Sequence, residues 1–246
     1  VTTGHNNTLM GGLAGNSLTT ATHSTFIGRA AGEGVTTGTQ NTAVGYHALY
    51  LCETGTQNVA IGKQALYNAT SSYNVALGMS AGYSCSSNGN NTFLGLQSGF
   101  STTGAQNTFV GLNSGYHMSS GSYNVILGGF NGNNDGLDIR TSSYNTVISD
   151  GQGNVKLHFK QNDDAEFRGS VGIGTASPSA KLHVYEGSTT GVNIGIQNTE
   201  RYWNIETNDG LLKIQDVTAG SLARMTFDTS GNVGIGTTNP GAPLEV

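Results

Sequence analysis

NTAVGYHALY, residues 41–50, returns as NVAIGKQALY at 58–67, NVALGMSAGY at 74–83, NTFLGLQSGF at 91–100 and NTFVGLNSGY at 107–116. A sixth copy, NVILGGFNGN, runs from 124 to 133, so that the step between copies alternates between seventeen and sixteen. So constant a step means one structural unit stacked on itself. The register extends outward to NTLMGGLAGN at Asn7, STFIGRAAGE at Ser24 and, after a longer gap, NTVIS at Asn145. Nine copies therefore occupy the first three-fifths of the chain.

Numbering each copy from its first residue as zero exposes the pattern. Position +3 is Met10, Ile27, Val44, Ile61, Leu77, Leu94, Val110, Leu127 and Ile148, and position +1 is always Thr or Val. In a strand these share one face, which predicts that they fill the inside of a coil. Position +4 is Gly in eight copies, as a sharp turn without room for a Cβ requires. A small residue follows at +7. The fold predicted is all-β: a parallel β-roll or solenoid of about nine 16–17-residue rungs, each with two short strands and two turns. At ~4.8 Å per rung it forms a rod about 40 Å long. A small antiparallel β region follows it.

Position +2 is apolar as well: Phe26, Ala43, Ala60, Ala76, Phe93, Phe109 and Ile126 in the central copies, with Leu9 and Val147 at the ends. A strand apolar on both faces is normally covered on both, and a thin coil covers one. The +2 column is therefore assigned to an interface between copies of the chain, with a closed ring favoured by symmetry. Two ladders run beside it. Asn41, Asn58, Asn74, Asn91, Asn107 and Asn124 form an amide column, each able to bond its equivalents above and below. Tyr50, Tyr67, Tyr83, Phe100 and Tyr116 at +9 form an aromatic column, read as rings stacked between rungs, with a glycan-binding strip as the alternative.

Composition supports a repeat protein over an enzyme with a large apolar core: 38 Gly, 3 Pro and 10% charged residues in 246. The net charge of −5 comes with no basic run that would suggest nucleic acid. No apolar stretch approaches the ~18 residues of a membrane span. The start, VTTGHNNTLM, has neither an initiator Met nor the basic and apolar regions of a secretion signal, and reads as a processed or partial product. Residues 1–134 hold only Arg29, Glu33, Glu53 and Lys63 as charged side chains. The division expected is a repeat array at 1–149, a connecting hairpin and short motif at 150–184, and a small β domain at 185–246.

The tail carries its own duplication. GSVGIGTASPSAKLHV from Gly169 and GNVGIGTTNPGAPLEV from Gly231 align without gaps. Between them strands are expected at about 181–186, 191–197, 201–207, 211–216 and 222–228. Turns at EGSTTG, TNDG and DTSGN separate them, and Trp203 is the expected core anchor.

These two patterns resemble known fibres. The N-[TV]-x-aliphatic-G-x-x-[AS] repeat resembles the heads of trimeric autotransporter adhesins, whose repeat is somewhat shorter. That resemblance implies a left-handed β-roll assembled as a homotrimer. The VGIGT-x-x-P-x-x-x-L-x-V element is similar to one in phage tail fibres and related surface fibres, where it often precedes an intramolecular chaperone that is cleaved away. A matured or truncated fibre would end as this chain does, at PLEV. The resemblance implies a homotrimeric fibre subunit of a virion. Its partners would be other fibre or tail proteins and a host-surface receptor, either a glycan or an outer-surface protein. A bacterial cell-surface trimeric adhesin, placed extracellularly, is the alternative.

Candidate chemistry is sparse. Cys52 and Cys85 both fall at +11, two rungs apart. That places them ~10 Å from each other, too far for a disulfide within one straight coil. They read as free buried thiols, with a bridge between subunits as the alternative. Asn131, Asn133, Asp135 and Gly136 echo a calcium loop, but its twelfth position is Ser142 where the bidentate Glu belongs. The six His lack metal spacing, and the GIG at Gly172–Gly174 lacks the third Gly and helix of a dinucleotide site. No catalytic residue, cofactor or metal is expected. A glycan-degrading spike would draw on Asp163, Asp164 and Glu166. An ice-binding surface would draw on Thr at +1, which the aliphatic +3 on the same face argues against.

Overall fold

A computed structural model describes residues 3–86, 89–161, 164–187, 191–208 and 210–246. The architecture is all-β, with no helix among the described residues. The chain divides into two compact units, Val1–Arg168 and Gly169–Val246.

The first unit is a parallel β-solenoid. Its strands are β1 (Thr8–Met10), β2 (Thr25–Ile27), β3 (Thr42–Val44), β4 (Val59–Ile61), β5 (Val75–Leu77), β6 (Thr92–Leu94), β7 (Thr108–Val110) and β8 (Val125–Leu127). A small hairpin, β9 (Asn133–Asn134) and β10 (Leu137–Asp138), fills the longer gap before β11 (Thr146–Ser149). Every step from β1 to β8, and from β8 to β11, is parallel and pairs equivalent positions, as in Ala43 with Ala60 and Phe93 with Phe109. Nine stacked strands close eight coils.

Each rung holds one strand where the spacing predicts two. The backbone at +6 and +8 is left-handed: Ala30, His47, Gln64, Ser80, Gln97 and Asn113 at +6, and Leu49 and Leu66 or Gly at +8. Those dihedrals interrupt β-structure, yet the turns still bond from rung to rung. Gly32 N–H donates to Ala48 O at 2.9 Å and Leu49 N–H to Ala65 O at 2.9 Å. Glycine at +4 is required by φ values between 127° and 139° from Gly11 to Gly111. A Cβ on Gly28 or Gly45 would also lie 2.6 or 2.7 Å from the carbonyl oxygen of the next glycine in the column.

The two faces of the strand are the reverse of the assignment made from sequence. Phe26, Ala43, Ala60, Ala76, Phe93, Phe109 and Ile126 are all 0% exposed, buried in their own coil. They are therefore core, and no interface between copies can be built from them. The +3 aliphatics point outward, with Ile61, Leu77, Leu94, Leu127 and Ile148 each about 38–40% exposed. The alternation is present and its sign is inverted, because both faces are apolar and period 2 alone does not say which is inside.

Side-chain volume inside the coil is balanced between +2 and +8. Where +2 is Phe (Phe26, Phe93, Phe109), +8 is Gly, and a Cβ there would strike the ring. Where +2 is Ala43 or Ala60, +8 is Leu49 or Leu66, fully buried at φ 53° and 49°. At Ala76 and Gly82, Phe93 from one neighbouring rung and Leu66 from the other close over the gap. A third inward column at +11, Leu18, Val35, Cys52, Ala69, Cys85, Thr102 and Met118, completes the core.

The last coil is covered by antiparallel strands, β12 (Val155–Phe159) on β11 and β13 (Ala165–Phe167) on β12. Residues 150–168 thus belong to the array, and the division falls at 168/169, not at the expected 149/150 and 184/185. The hairpin turns at DGQGN: Asp150 accepts from the Gln152 and Asn154 N–H groups at 3.0 Å each, with Gly153 at φ 87°. DTSGN in the second unit repeats this turn with Asp228, Asn232 and Gly231 at φ 83°.

In the second unit, β14 (Val171–Ile173) pairs with β15 (Leu182–Val184). Then β16 (Val192–Gln197), β17 (Tyr202–Asn208), β18 (Leu211–Asp216), β19 (Leu222–Phe227) and β20 (Val233–Ile235) run as an antiparallel meander, closed by β21 (Leu244–Glu245). Both VGIGT copies fold alike, as tight parallel pairs and not as antiparallel ones. Val171 N–H donates to Lys181 O at 2.8 Å, and Val233 N–H to Pro243 O at 3.0 Å. Trp203 is half-buried and anchors no core in the single chain. Pro240 aside, every buried hydrophobic residue described lies between Leu18 and Val155, in the first unit. The EGSTTG and TNDG turns include residues outside those described.

Candidate functional site

The array offers ladders inside and a stripe outside. The amide column stands within the coil. Asn58 N–H donates to Asn41 Oδ1, Asn74 N–H to Asn58 Oδ1, Asn107 N–H to Asn91 Oδ1 and Asn124 N–H to Asn107 Oδ1, all at 2.9 Å. Asn91 N–H reaches Asn74 Oδ1 at 3.1 Å. Each side-chain oxygen thus serves the backbone of the next rung. The amide NH2 groups turn to loop carbonyls, as from Asn41 to Gly55 O at 2.8 Å and from Asn107 to Gly121 O at 3.0 Å. Buried polar groups are stable only when so satisfied, and here Asn does it in every coil but one, where Ser24 Oγ accepts from Asn41 N–H at 3.2 Å.

His158 ends this column. Its Nε2 lies 2.9 Å from Asn145 Oδ1. An amide oxygen only accepts, so Nε2 carries the proton. Nδ1 has no hydrogen-bond partner among the described residues and lies 4.0 Å from Glu166 Oε2. Burial holds the imidazole below its ordinary pKa, opposed by the Glu166 charge and aided by Lys160 and Arg168. A surface depression of about 440 Å³ lies beside it, lined in part by Leu137, Ile139, Ser142 and Lys160.

The aromatic column is a continuous stack: successive centroids from Tyr50 through Tyr67, Tyr83 and Phe100 to Tyr116 are 4.9 Å apart. The rings cover their faces with one another and turn only edges outward, whereas a sugar ring stacks on an aromatic face. A second pair, Tyr123 and Tyr144, stacks at 4.7 Å just before the repeat start.

The outer stripe is the feature that the sequence places on the wrong face. The +3 aliphatics run in line with +5 residues that include Met79, Leu96 and Leu112, the last 53% exposed, while +1 is half-buried beside them. A contiguous apolar stripe of this length marks an interaction surface.

The remaining candidates are engaged locally. Cys52 and Cys85 are both buried, and burial pushes both thiols up to about 11. Asp135 and Gly136, at φ 51° and 70°, form the two-residue turn of the β9–β10 hairpin. The Asp135 carboxylate accepts from Val155 N–H at 3.1 Å and lies 3.5 Å from Arg168. Glu166 is paired with Lys160 at 3.3 Å and Arg168 at 3.1 Å, which hold its carboxyl below the usual range. A general acid would need the opposite shift. The Asp164 carbonyl accepts from Lys160 N–H at 3.0 Å, and Asp163 lies outside the described residues. Among those described, no group of three His, Cys, Asp or Glu could hold a metal, and no helix is long and apolar enough to cross a membrane.

The second unit adds an apolar surface of its own. Cross-strand register places Ile194, Ile205, Ile214 and Met225 on one side of the meander, next to Ile196 and Trp203. Asn193, Glu206 and Lys213 take the other side. The chain matches no protein-family model and no curated protein sequence.

Proposed function

We propose that this protein is a subunit of a homotrimeric fibre, most consistent with a phage tail fibre or a comparable virion appendage, that holds a host-attachment surface away from the particle. The observation that carries the reading is the outer apolar stripe at +3 and +5, unbroken by charge from Met79 to Leu112. The interface moves to this face from the +2 column, which is core. Three copies packed stripe to stripe would cover it, and three equivalent attachment surfaces would engage a host together. The number three and the virion setting rest on the resemblance of the VGIGT elements and of the Asn-led repeat. Other fibre proteins and a host glycan or outer-surface protein would be its partners; a bacterial trimeric adhesin differs in the anchor it would carry. Light scattering on the purified chain is the test. Three times 25.4 kDa supports the reading, and a folded monomer removes it.

One finding favours a second reading. The Thr-rich +1 column lies on the outer face, so a monomer would present Thr25, Thr42, Thr92 and Thr108 to a flat ligand such as ice, interrupted by Val59 and Val75. Inhibition of ice recrystallisation by a monomeric particle would select it.

A further inference from the structure

We infer that the second unit is completed by other copies of this chain, through the apolar face of its six-stranded sheet, and that it folds only as they associate. A sheet with one hydrophobic face must bury that face against a second layer. Among the described residues that face has no second layer: Ile194, Ile205, Phe227 and Ile235 are exposed, as are Ile173 and Leu182 of the neighbouring parallel pair. From Gly169 to Val246, Pro240 is the one hydrophobic residue described that is buried. A single layer that leaves this face open forgoes the apolar burial that offsets the entropy cost of ordering its chain.

The occupant is a second copy because the face is complementary to itself. It presents aliphatic and aromatic side chains, with charge at its rim where Asp216 is bridged to Arg201 at 3.1 Å and to Arg224 at 3.4 Å. Glu206 and Lys213 pair across β17 and β18 on the opposite side, which is the polar one. The first unit shows what the same chain does with apolar residues that its coils enclose: from Phe26 to Ile126 the +2 column is buried completely. Three copies rest on the fibre reading above, while the face-to-face contact rests on the sheet.

The native sequence carries a reporter in each unit. Trp203, the only Trp, lies on the apolar face, and Cys52 and Cys85 lie inside the array. The full-length chain is diluted while particle mass, Trp203 emission and thiol labelling are followed. Expected is a blue-shifted emission in the assembled particle that moves red as mass is lost, with both thiols still unreactive. Ile205→Asp should abolish assembly and the blue shift and leave the thiols protected; Glu206→Gln, on the opposite side, should change neither. A Trp203 emission that stays blue in the dissociated monomer overturns the inference. An assembled particle with solvent-exposed Trp203 also overturns it, yet leaves the fibre reading standing on the array stripe. A monomer at every concentration removes both.

Discussion

The two units draw on similar residues and reach opposite outcomes. In the array, an apolar side chain at +2 is enclosed by its own coil together with the coils above and below, all supplied by one chain. In the second unit, a similar alternation produces a single sheet with its apolar side open among the described residues. Wrapping lets a chain make its own second layer; a meander does not. The core of the array is therefore closed within one chain, with association through the outer stripe adding to it, whereas in the second unit the core itself depends on concentration.

The largest expected effect tests the first half of that contrast. Gly62→Val places side-chain atoms against Gly78 O, 2.5 Å from where a Cβ would sit, at φ 132°. It should cost on the order of 4 kcal/mol and open the thiols to labelling. Next, Phe93→Ala should destabilise the array by ~3–5 kcal/mol, equally at every protein concentration. Phe227→Ala on the open sheet should instead weaken assembly, with a loss that shrinks as concentration rises. Equal concentration dependence for both would erase the distinction between the units.

The complementarity of +2 and +8 can be swapped. Ala43→Phe alone overfills the coil against Leu49 and should cost ~1–3 kcal/mol. Adding Leu49→Gly recreates the Phe26 and Gly32 arrangement, and a double-mutant cycle should recover most of that loss as coupling.

Two smaller effects sharpen the account of the core. Thr102 sits in the +11 column with its hydroxyl buried and without a hydrogen-bond partner among the described residues. Thr102→Val should stabilise the array by ~1 kcal/mol in denaturant titrations. His158 has its pKa lowered by burial, so the unfolded chain takes up the proton first. The stabilisation is present above the ordinary imidazole pKa of about 6.5 and is lost as pH falls from there through the folded value. Array stability should decline between pH 7 and pH 5, and His158→Gln should flatten that slope.

The period, the parallel stacking, the glycine at +4 and the two tail copies are legible because each repeats a residue type at a fixed position. The inside of the coil is not. Val44 and Ala43 are both apolar, and only the enclosing turns decide which is covered. Nor is the +11 column legible, because Val35, Cys52, Ala69 and Thr102 share size and burial but no chemical class. The left-handed residues at +6, among them His47 and Gln64, carry no mark in sequence, which is why the spacing predicts a second strand where a turn stands. Trp203 reads as a core residue, and on a sheet without a second layer it is only half-covered.

Hydrogen exchange on the native particle, run at high and low concentration, tests the contrast most directly. Backbone amides of β3 to β7 should stay protected at both concentrations, while those of β17 and β18 should lose protection as the particle dissociates. Protection of β17 and β18 that persists in the dissociated chain would contradict the account.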